Sequence, residues 1–475
     1  MNLNEQKTEL KKMNVPFFKA SISEEEEQAC AKVLRSGWLT TGKETHEFEK
    51  EFAQKINSPF ALAVNSNTSG MILAMESLGV KTGKAVITTP YTFVSTAASA
   101  SHLGADVYFA DIEKENYSID PEKIEEILKS PQGKNVAAIV PVHIAGNVCN
   151  MKRIMELAEK YNVKVIEDCA HSFPSKTSLG FAGAIGDAGV FSFYATKTIT
   201  CGEGGMVSVK DKKTAERILQ MRLHGMNRDA WDRYTSNKAS WEYDIVAPGF
   251  KSNLPDILSA IARVQLKKAD ILDAKRKIHV KKYNDAFSKM DFVKIPPTSE
   301  GDACHLYILR LELSKLKCTR NEFASMLQEM GIGISVHFIP LFHFSYWKQL
   351  YPDFTKEKFP EAEKKFQESI SIPLWPDMTE EMTSYVIQAV KDIGEKMEDN
   401  YSKAYKEVIE ILNFVPKESV EKIPKTMIDT FKAKMDNEYD FKVDINKSFE
   451  EQDLLEETKA IFANIFRDFW ATPYQ

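Results

Sequence analysis

Lys197, in the segment FSFYATKTITCGEGG, is the residue with the clearest chemical promise. It follows a short apolar strand pattern and precedes a Gly-rich turn. A lysine there is either an ordinary surface cation or a nucleophile at a sheet edge. A Schiff-base former of that kind needs partial burial to lower its pKa. Asp168 closes the run VKVIED. In a parallel α/β sheet that position puts a carboxylate at the C-terminal edge, where ligands bind. The alternative is a helix N-cap. A pyridine cofactor needs an acidic partner for its ring nitrogen, and Asp168 and Lys197 end successive strand patterns, which suits a grip on one flat ring.

Four further positions fit that picture, each with a plainer reading beside it. His171 follows Asp168 by three residues. It could donate a hydrogen bond to a phenolic oxygen, or simply be a core or surface histidine. The turn NSNTSG (65–70), with Asn67 and Thr68, lies between a strand pattern and a helix pattern. Small hydroxyl and amide side chains there, with free N–H groups at the helix start, suit a phosphate, although the same residues make ordinary turns. Ser192 is a further possible phosphate donor. Phe93, in PYTFVST, could cover a ring face or sit in the core. Other catalytic signatures are missing: there is no G-x-S-x-G, no P-loop and no H-E-x-x-H. GEGG (202–205) precedes a strand rather than a helix, so it is not a dinucleotide fingerprint.

The surrounding pattern supplies elements to hold these residues. Ser23 with Glu26 predicts a capping-box helix start, closed by Gly37. From about residue 60, short apolar strands alternate with helices: 61–64, 85–89, 106–109, 136–142, 163–167, 189–193 and 205–209. This argues for an α/β layer with a mostly parallel sheet. The close spacing of the last strands predicts one antiparallel edge. Residues 255–287 read as one long helix leading to a smaller α+β part that begins near Val293. Its expected strands are HLYILRLEL (305–313) and GISVHF (333–338). The domain reading is a flexible arm over 1–14, a large cofactor-binding α/β domain over 15–255, a linking helix and small α+β domain over 256–397, and a helical appendage over 400–475.

Composition narrows the classes. The chain has 475 residues, 43% hydrophobic and 27% charged, with net charge −6. That balance argues against a mainly electrostatic nucleic-acid binder or an anionic-membrane binder. No apolar run approaches the roughly 18–20 residues of a membrane helix. The six cysteines are scattered, without C-x-x-C or zinc-finger spacing, and read as free cytosolic thiols. The expected location is cytoplasmic.

Several segments in order resemble the DegT/StrS family of pyridoxal-phosphate-dependent nucleotide-sugar aminotransferases. They include SGWLTTGKETHEFEKEFA, NSNTSGMILAMESLGV, TTPYTFVSTA, VIEDCAH, GDAGVFSFYATKTITCGEGGMV and GFKSNLPDILSAIARVQL, within roughly residues 15 to 395. The resemblance implies the aspartate-aminotransferase fold (fold type I) and pyridoxal 5'-phosphate as cofactor. It makes Lys197 the lysine that bonds the cofactor, Asp168 the partner of the pyridinium nitrogen, and His171 the neighbour of the ring hydroxyl. It puts Asn67, Thr68 and Ser192 at the phosphate and Phe93 on the ring face. Asn253 would reach the phosphate of a neighbouring subunit, so a homodimer with a shared site is implied. The implied reaction is ping-pong transfer from L-glutamate to a UDP- or dTDP-linked 4-keto-6-deoxy sugar, for amino-sugar or polysaccharide biosynthesis. His224 and His337 also fit family patterns, without an assigned role. Two alternatives stay open: a non-catalytic cofactor-binding regulatory or scaffold protein, and a sugar dehydratase. The dehydratase branch carries histidine where this chain has Lys197. The 400–475 segment departs from the family pattern.

Overall fold

The computed structural model describes residues 12–227, 242–299 and 301–396. The expected appendage over 400–475, and all but the end of the expected arm, lie outside them. Among the described residues, 12–312 and 320–389 group into one compact unit, and 313–319 with 390–396 into a second.

The first unit opens with α1 (Glu24–Ser36), which starts as its sequence predicts. Ser23 and Glu26 form the capping box, and Gly37 ends the helix in the left-handed region at φ 74°. There follow α2 (Lys43–Ile56), β1 (Phe60–Val64), α3 (Asn67–Ser77), β2 (Ala85–Thr88), α4 (Val94–His102), β3 (Asp106–Phe109) and α5 (Pro121–Lys129). Then come β4 (Val136–Ile139), α6 (Met151–Tyr161), β5 (Lys164–Asp168), a short hairpin of β6 (Lys176–Thr177) and β7 (Gly180–Phe181), β8 (Ala188–Ser192), β9 (Gly205–Val209) and α7 (Lys212–Met221). Seven strands form one sheet in the order β1-β9-β8-β5-β4-β2-β3. The pairings from β3 through to β8 are parallel, and β9 runs antiparallel to both β8 and β1. The expected antiparallel strand therefore exists but is not at the edge. β1 (Phe60–Val64) pairs outside it and holds the edge on the side of β9 away from β8.

Strand parity sorts the side chains of the two strands that end at the site. On β8, Val190 joins the core under α3, while Phe191 and the following Phe193 pack with Phe48 and Phe52 on the opposite face. Ser192 therefore shares the face of Val190. On β5, Ile166 and Asp168 take that same face, and Glu167 takes the other. There Glu167 accepts hydrogen bonds from the N–H groups of Gly183, Ile185 and Gly186 and pairs with His143. These four contacts fix the end of β5 and with it the adjacent Asp168. Gly70 lets α3 lie close on the sheet, since a Cβ there would meet Val190 and Val207 at 2.7 and 3.0 Å.

The long helix spans Asp256–Phe287, as the pattern predicts. A second, antiparallel sheet follows, with β10 (Val293–Lys294), β11 (Tyr307–Leu311) and β12 (Ser369–Ile372) in that order. The expected strand over 333–338 is corrected here. Only an isolated bridge joins Ser335 to Ser371, and the strand beside β11 is β12. No helix among the described residues is long and apolar enough to cross a membrane.

Candidate active site

A cavity of about 550 Å³ opens at the C-terminal ends of β5 and β8. Its wall includes Asn67, Thr68, Phe93, Asp168, His171, Ser192 and Lys197. The structure thus brings together seven of the eight residues singled out in the sequence. The eighth, Asn253, lies outside the cavity of its own chain. Its backbone bridges to Val64, its Nδ2 donates to Thr41 Oγ1 at 2.7 Å, and its Oδ1 accepts from Lys251 Nζ.

Lys197 sits in the turn between β8 and β9, half-buried at the cavity wall. The turn is held from several sides. Arg276 of the long helix donates to the carbonyls of Thr198 and Lys197, at 3.0 and 3.4 Å. Thr198 Oγ1 donates to Phe173 O at 2.6 Å, and Gln265 accepts from Thr200 N–H at 3.3 Å. Burial lowers the Lys197 amine from 10.5 to about 8, against the opposing pull of the Asp168 carboxylate. It can therefore give up its proton near neutral pH, as a nucleophile or base must.

Asp168 is buried, with Oδ2 accepting from Thr96 Oγ1 at 2.7 Å and Oδ1 from Ala170 N–H at 3.1 Å. A turn rather than a helix follows it, so the N-cap reading does not hold. Burial raises its pKa, while Thr96, Ala170 and the nearby Lys197 charge work against that rise. Such a carboxylate is poised to pair with a cationic ring nitrogen.

At the start of α3, Ser66 is the N-cap, its Oγ accepting from Ser69 N–H at 3.1 Å. Asn67 and Thr68 occupy the first turn, where backbone N–H groups have no intrahelical partner. The Asn67 side chain is itself committed, donating to Val190 O at 2.9 Å and lying 3.4 Å from Asp168 Oδ1. An anion here would meet backbone N–H groups rather than that amide. Gly205 makes the approach of β9 possible, because a Cβ there would meet Ser66 C at 2.6 Å and Asn67 N at 2.8 Å. Phe93 precedes α4 and is 60% exposed, its ring centroid 6.4 Å from that of Phe338.

His171 accepts Ala145 N–H at Nδ1, 3.3 Å away, which leaves Nε2 as the protonated nitrogen. Burial holds its pKa well below the ordinary imidazole range, and the charge of Lys197 adds to the effect. Phe338 stacks on it at 5.6 Å and 18°. The sequence reading did not find Thr96, Gln265, Arg276 or His305, or the wall residues Phe17 and Phe18. Thr96 lies in the same quoted segment as Phe93, Gln265 in the one that holds Asn253, and His305 opens the expected strand HLYILRLEL, but nothing local marks any of them as part of the site.

The DegT/DnrJ/EryC1/StrS aminotransferase family model matches residues 20–391. The chain belongs to this family. An uncharacterised protein of Methanocaldococcus jannaschii is 41% identical over 381 residues, 80% of this chain and 97% of that protein. The spore coat polysaccharide biosynthesis protein SpsC of Bacillus subtilis is 38% identical over 382 residues, again 80% and 97%. The putative sugar aminotransferase Spr1654 of Streptococcus pneumoniae, solved in its PLP form, is 29% identical with a TM-score of 0.74, covering 81% of this chain and 100% of that one. It is also solved in a PMP form, at a TM-score of 0.75. The chain is a pyridoxal-phosphate-dependent sugar aminotransferase of fold type I, as the sequence resemblance implies.

The residues of the cavity fit that cofactor. A buried carboxylate, an amine with a lowered pKa and a helix start with open N–H groups face one space beside an exposed phenyl ring. Bound there, pyridoxal phosphate supplies an electron sink for a carbanion at the amino-bearing carbon.

Proposed function

We propose that this enzyme moves an amino group from L-glutamate to a nucleotide-linked keto sugar, a UDP- or dTDP-4-keto-6-deoxy sugar, in two half-reactions. The observation that carries the reading is the pairing of Lys197 and Asp168 across one cavity, with the Lys197 amine brought down to about 8. In this reading Asp168, held by Thr96, keeps a ring nitrogen protonated. The first-turn N–H groups of α3 and Ser192 hold the phosphate, Phe93 covers the ring, and His171 Nε2 faces the ring hydroxyl. Asn253 reaches the phosphate of a partner subunit in a homodimer. Lys197 Nζ takes the proton from the α-carbon of the donor and delivers it, and the keto acid leaves without its amine. For the sugar the same atom moves a proton in the opposite sense, and the amine replaces the ketone oxygen.

The cavity lining suits an uncharged ring: Phe17, Phe18, Leu306 and Phe338 are apolar, and three imidazoles stand among them. A sugar offers such a wall few charges, so the nucleotide diphosphate supplies much of the binding energy. The name of SpsC supports a place in polysaccharide biosynthesis. The free cysteines support a cytoplasmic location.

The test is product analysis with L-glutamate and a panel of UDP- and dTDP-4-keto-6-deoxy sugars. The reading expects equimolar 2-oxoglutarate and amino sugar. Release of ammonia without an amino sugar would instead indicate dehydration.

A further inference from the structure

Three imidazoles meet at the cavity wall beside Lys197. His171 lies 4.5 Å from His305 and 6.4 Å from His337, centroid to centroid. Two of them are tied through Nδ1: His171 takes the Ala145 N–H, and His337 pairs with Ser371 Oγ at 2.8 Å. His305 differs. Its backbone N–H is held by the carbonyls of Ala145 and Ala303, at 3.2 and 3.0 Å, which fixes the residue just before β11. Its ring has no hydrogen bond among the described residues, Nδ1 is enclosed without a partner, and the residue is only 4% exposed. A buried polar ring without partners lowers stability, and such groups are retained mainly where a ligand or ordered water completes them.

The place of His305 in the cavity narrows what that ligand is. Asn67 Nδ2 lies 3.4 Å from Asp168 Oδ1, which sets the start of α3 beside that carboxylate, the part that the cofactor reading fills. His305, His337 and Ser335 line the same cavity, and the charge of Lys197 acts on both imidazoles. An α-amino acid whose Cα reacts at Lys197 carries its carboxylate one bond from that carbon, so the carboxylate must land within reach of the groups nearest the amine. Burial, followed by the charge of Lys197, holds His305 well below the ordinary imidazole range. Its ring is therefore neutral and brings one N–H to an incoming anion.

We infer that His305 contacts the α-carboxylate of the amino donor and thereby selects an α-amino acid for the first half-reaction. The inference rests on the proposed donor chemistry and adds a residue to it. His305 acts by binding, so it sets donor affinity rather than the spectrum of the resting enzyme.

The experiment compares L-glutamate with its α-amide, L-isoglutamine, in single-turnover absorbance measurements on the holoenzyme, for wild type, His305→Ala and His305→Gln. Wild type should bind the acid about ten- to a hundredfold more tightly than the amide, the range of a hydrogen bond to a charged group. His305→Ala should lose most of that discrimination by weakening the acid alone, while His305→Gln, which keeps an N–H donor, should recover part of it. Retained discrimination in His305→Ala, or equal weakening toward acid and amide, overturns the inference. If His305→Ala fails to hold cofactor, the His305→Gln ratio decides alone. Should wild type react with another α-amino acid but not glutamate, only the glutamate reading falls. That amino acid and its amide then decide the role of His305. A wild type that reacts with no amino acid overturns both.

Discussion

Thr96 on α4 donates a hydrogen bond from Oγ1 to Asp168 Oδ2 at 2.7 Å, and both groups are buried. The threonine lowers the pKa of a carboxylate that burial otherwise raises. Thr96→Val keeps the shape and removes the donor. Asp168 should then hold its proton more tightly, and the rate of the glutamate half-reaction should fall about ten- to a hundredfold. Stopped-flow absorbance at fixed pH measures it. Asp168→Asn should fall further, since it removes the anion outright.

The lysine turn makes a second prediction. Arg276 holds the carbonyls of Lys197 and Thr198 from the long helix. Arg276→Met keeps much of the volume and frees both carbonyls. The half-reaction should slow by roughly tenfold or more, as misplacement of a reacting group does. The cofactor should still bind, because the phosphate end of the cavity does not touch Arg276. Titration with cofactor and single-turnover rates separate the two effects.

Gly205→Ala tests the phosphate end. The new Cβ would meet Ser66 C at 2.6 Å, and β9 and the start of α3 would have to part. Cofactor affinity should drop by roughly tenfold, about the loss of one hydrogen bond to an anion. An absorbance titration gives the dissociation constant, and circular dichroism checks that the fold is kept.

Burial of Lys197 also predicts a pH dependence of stability for the apoprotein. The folded value is about 8 and the ordinary value 10.5, so between them the unfolded chain binds more protons and stability rises with pH. Below pH 8 the amine is charged in both states and the cost of burying it is fully present. Lys197→Met should therefore be more stable than wild type at pH 7, by on the order of 3 kcal/mol at the conversion of about 1.4 kcal/mol per pKa unit. The gap should close as pH rises from about 8 to 10.5. Urea melts at three pH values check the trend.

What could be read in the sequence follows from how local each signal is. Ser23, Glu26 and Gly37 mark a helix through contacts within a few residues, and that helix forms where the pattern puts it. Alternation along VKVIED and GVFSF groups Asp168 with Ile166 and Ser192 with Val190, but that the two groups share a face follows only from the pairing of β5 with β8 and the core they join. The parts that escaped depend on distant contacts. Thr96 meets Asp168 across 72 residues, and Arg276 meets Lys197 across 79. No local pattern in 333–338 reveals that Ser335 makes only one bridge to Ser371, while β12 takes the place beside β11. Type alone did not show that the Asn67 amide donates to Val190 O and lies 3.4 Å from Asp168 Oδ1. His305 has no motif of its own, and its interest lies in the contacts it does not make.

The most direct test is a visible absorption spectrum of the purified protein with pyridoxal phosphate, before and after L-glutamate, beside Lys197→Ala. The account predicts a band that needs Lys197 and bleaches when glutamate is added. A protein with excess cofactor and no Lys197-dependent band would contradict the assignment of Lys197 and the chemistry built on it. A Lys197-dependent band that glutamate leaves untouched would keep the site and contradict the donor.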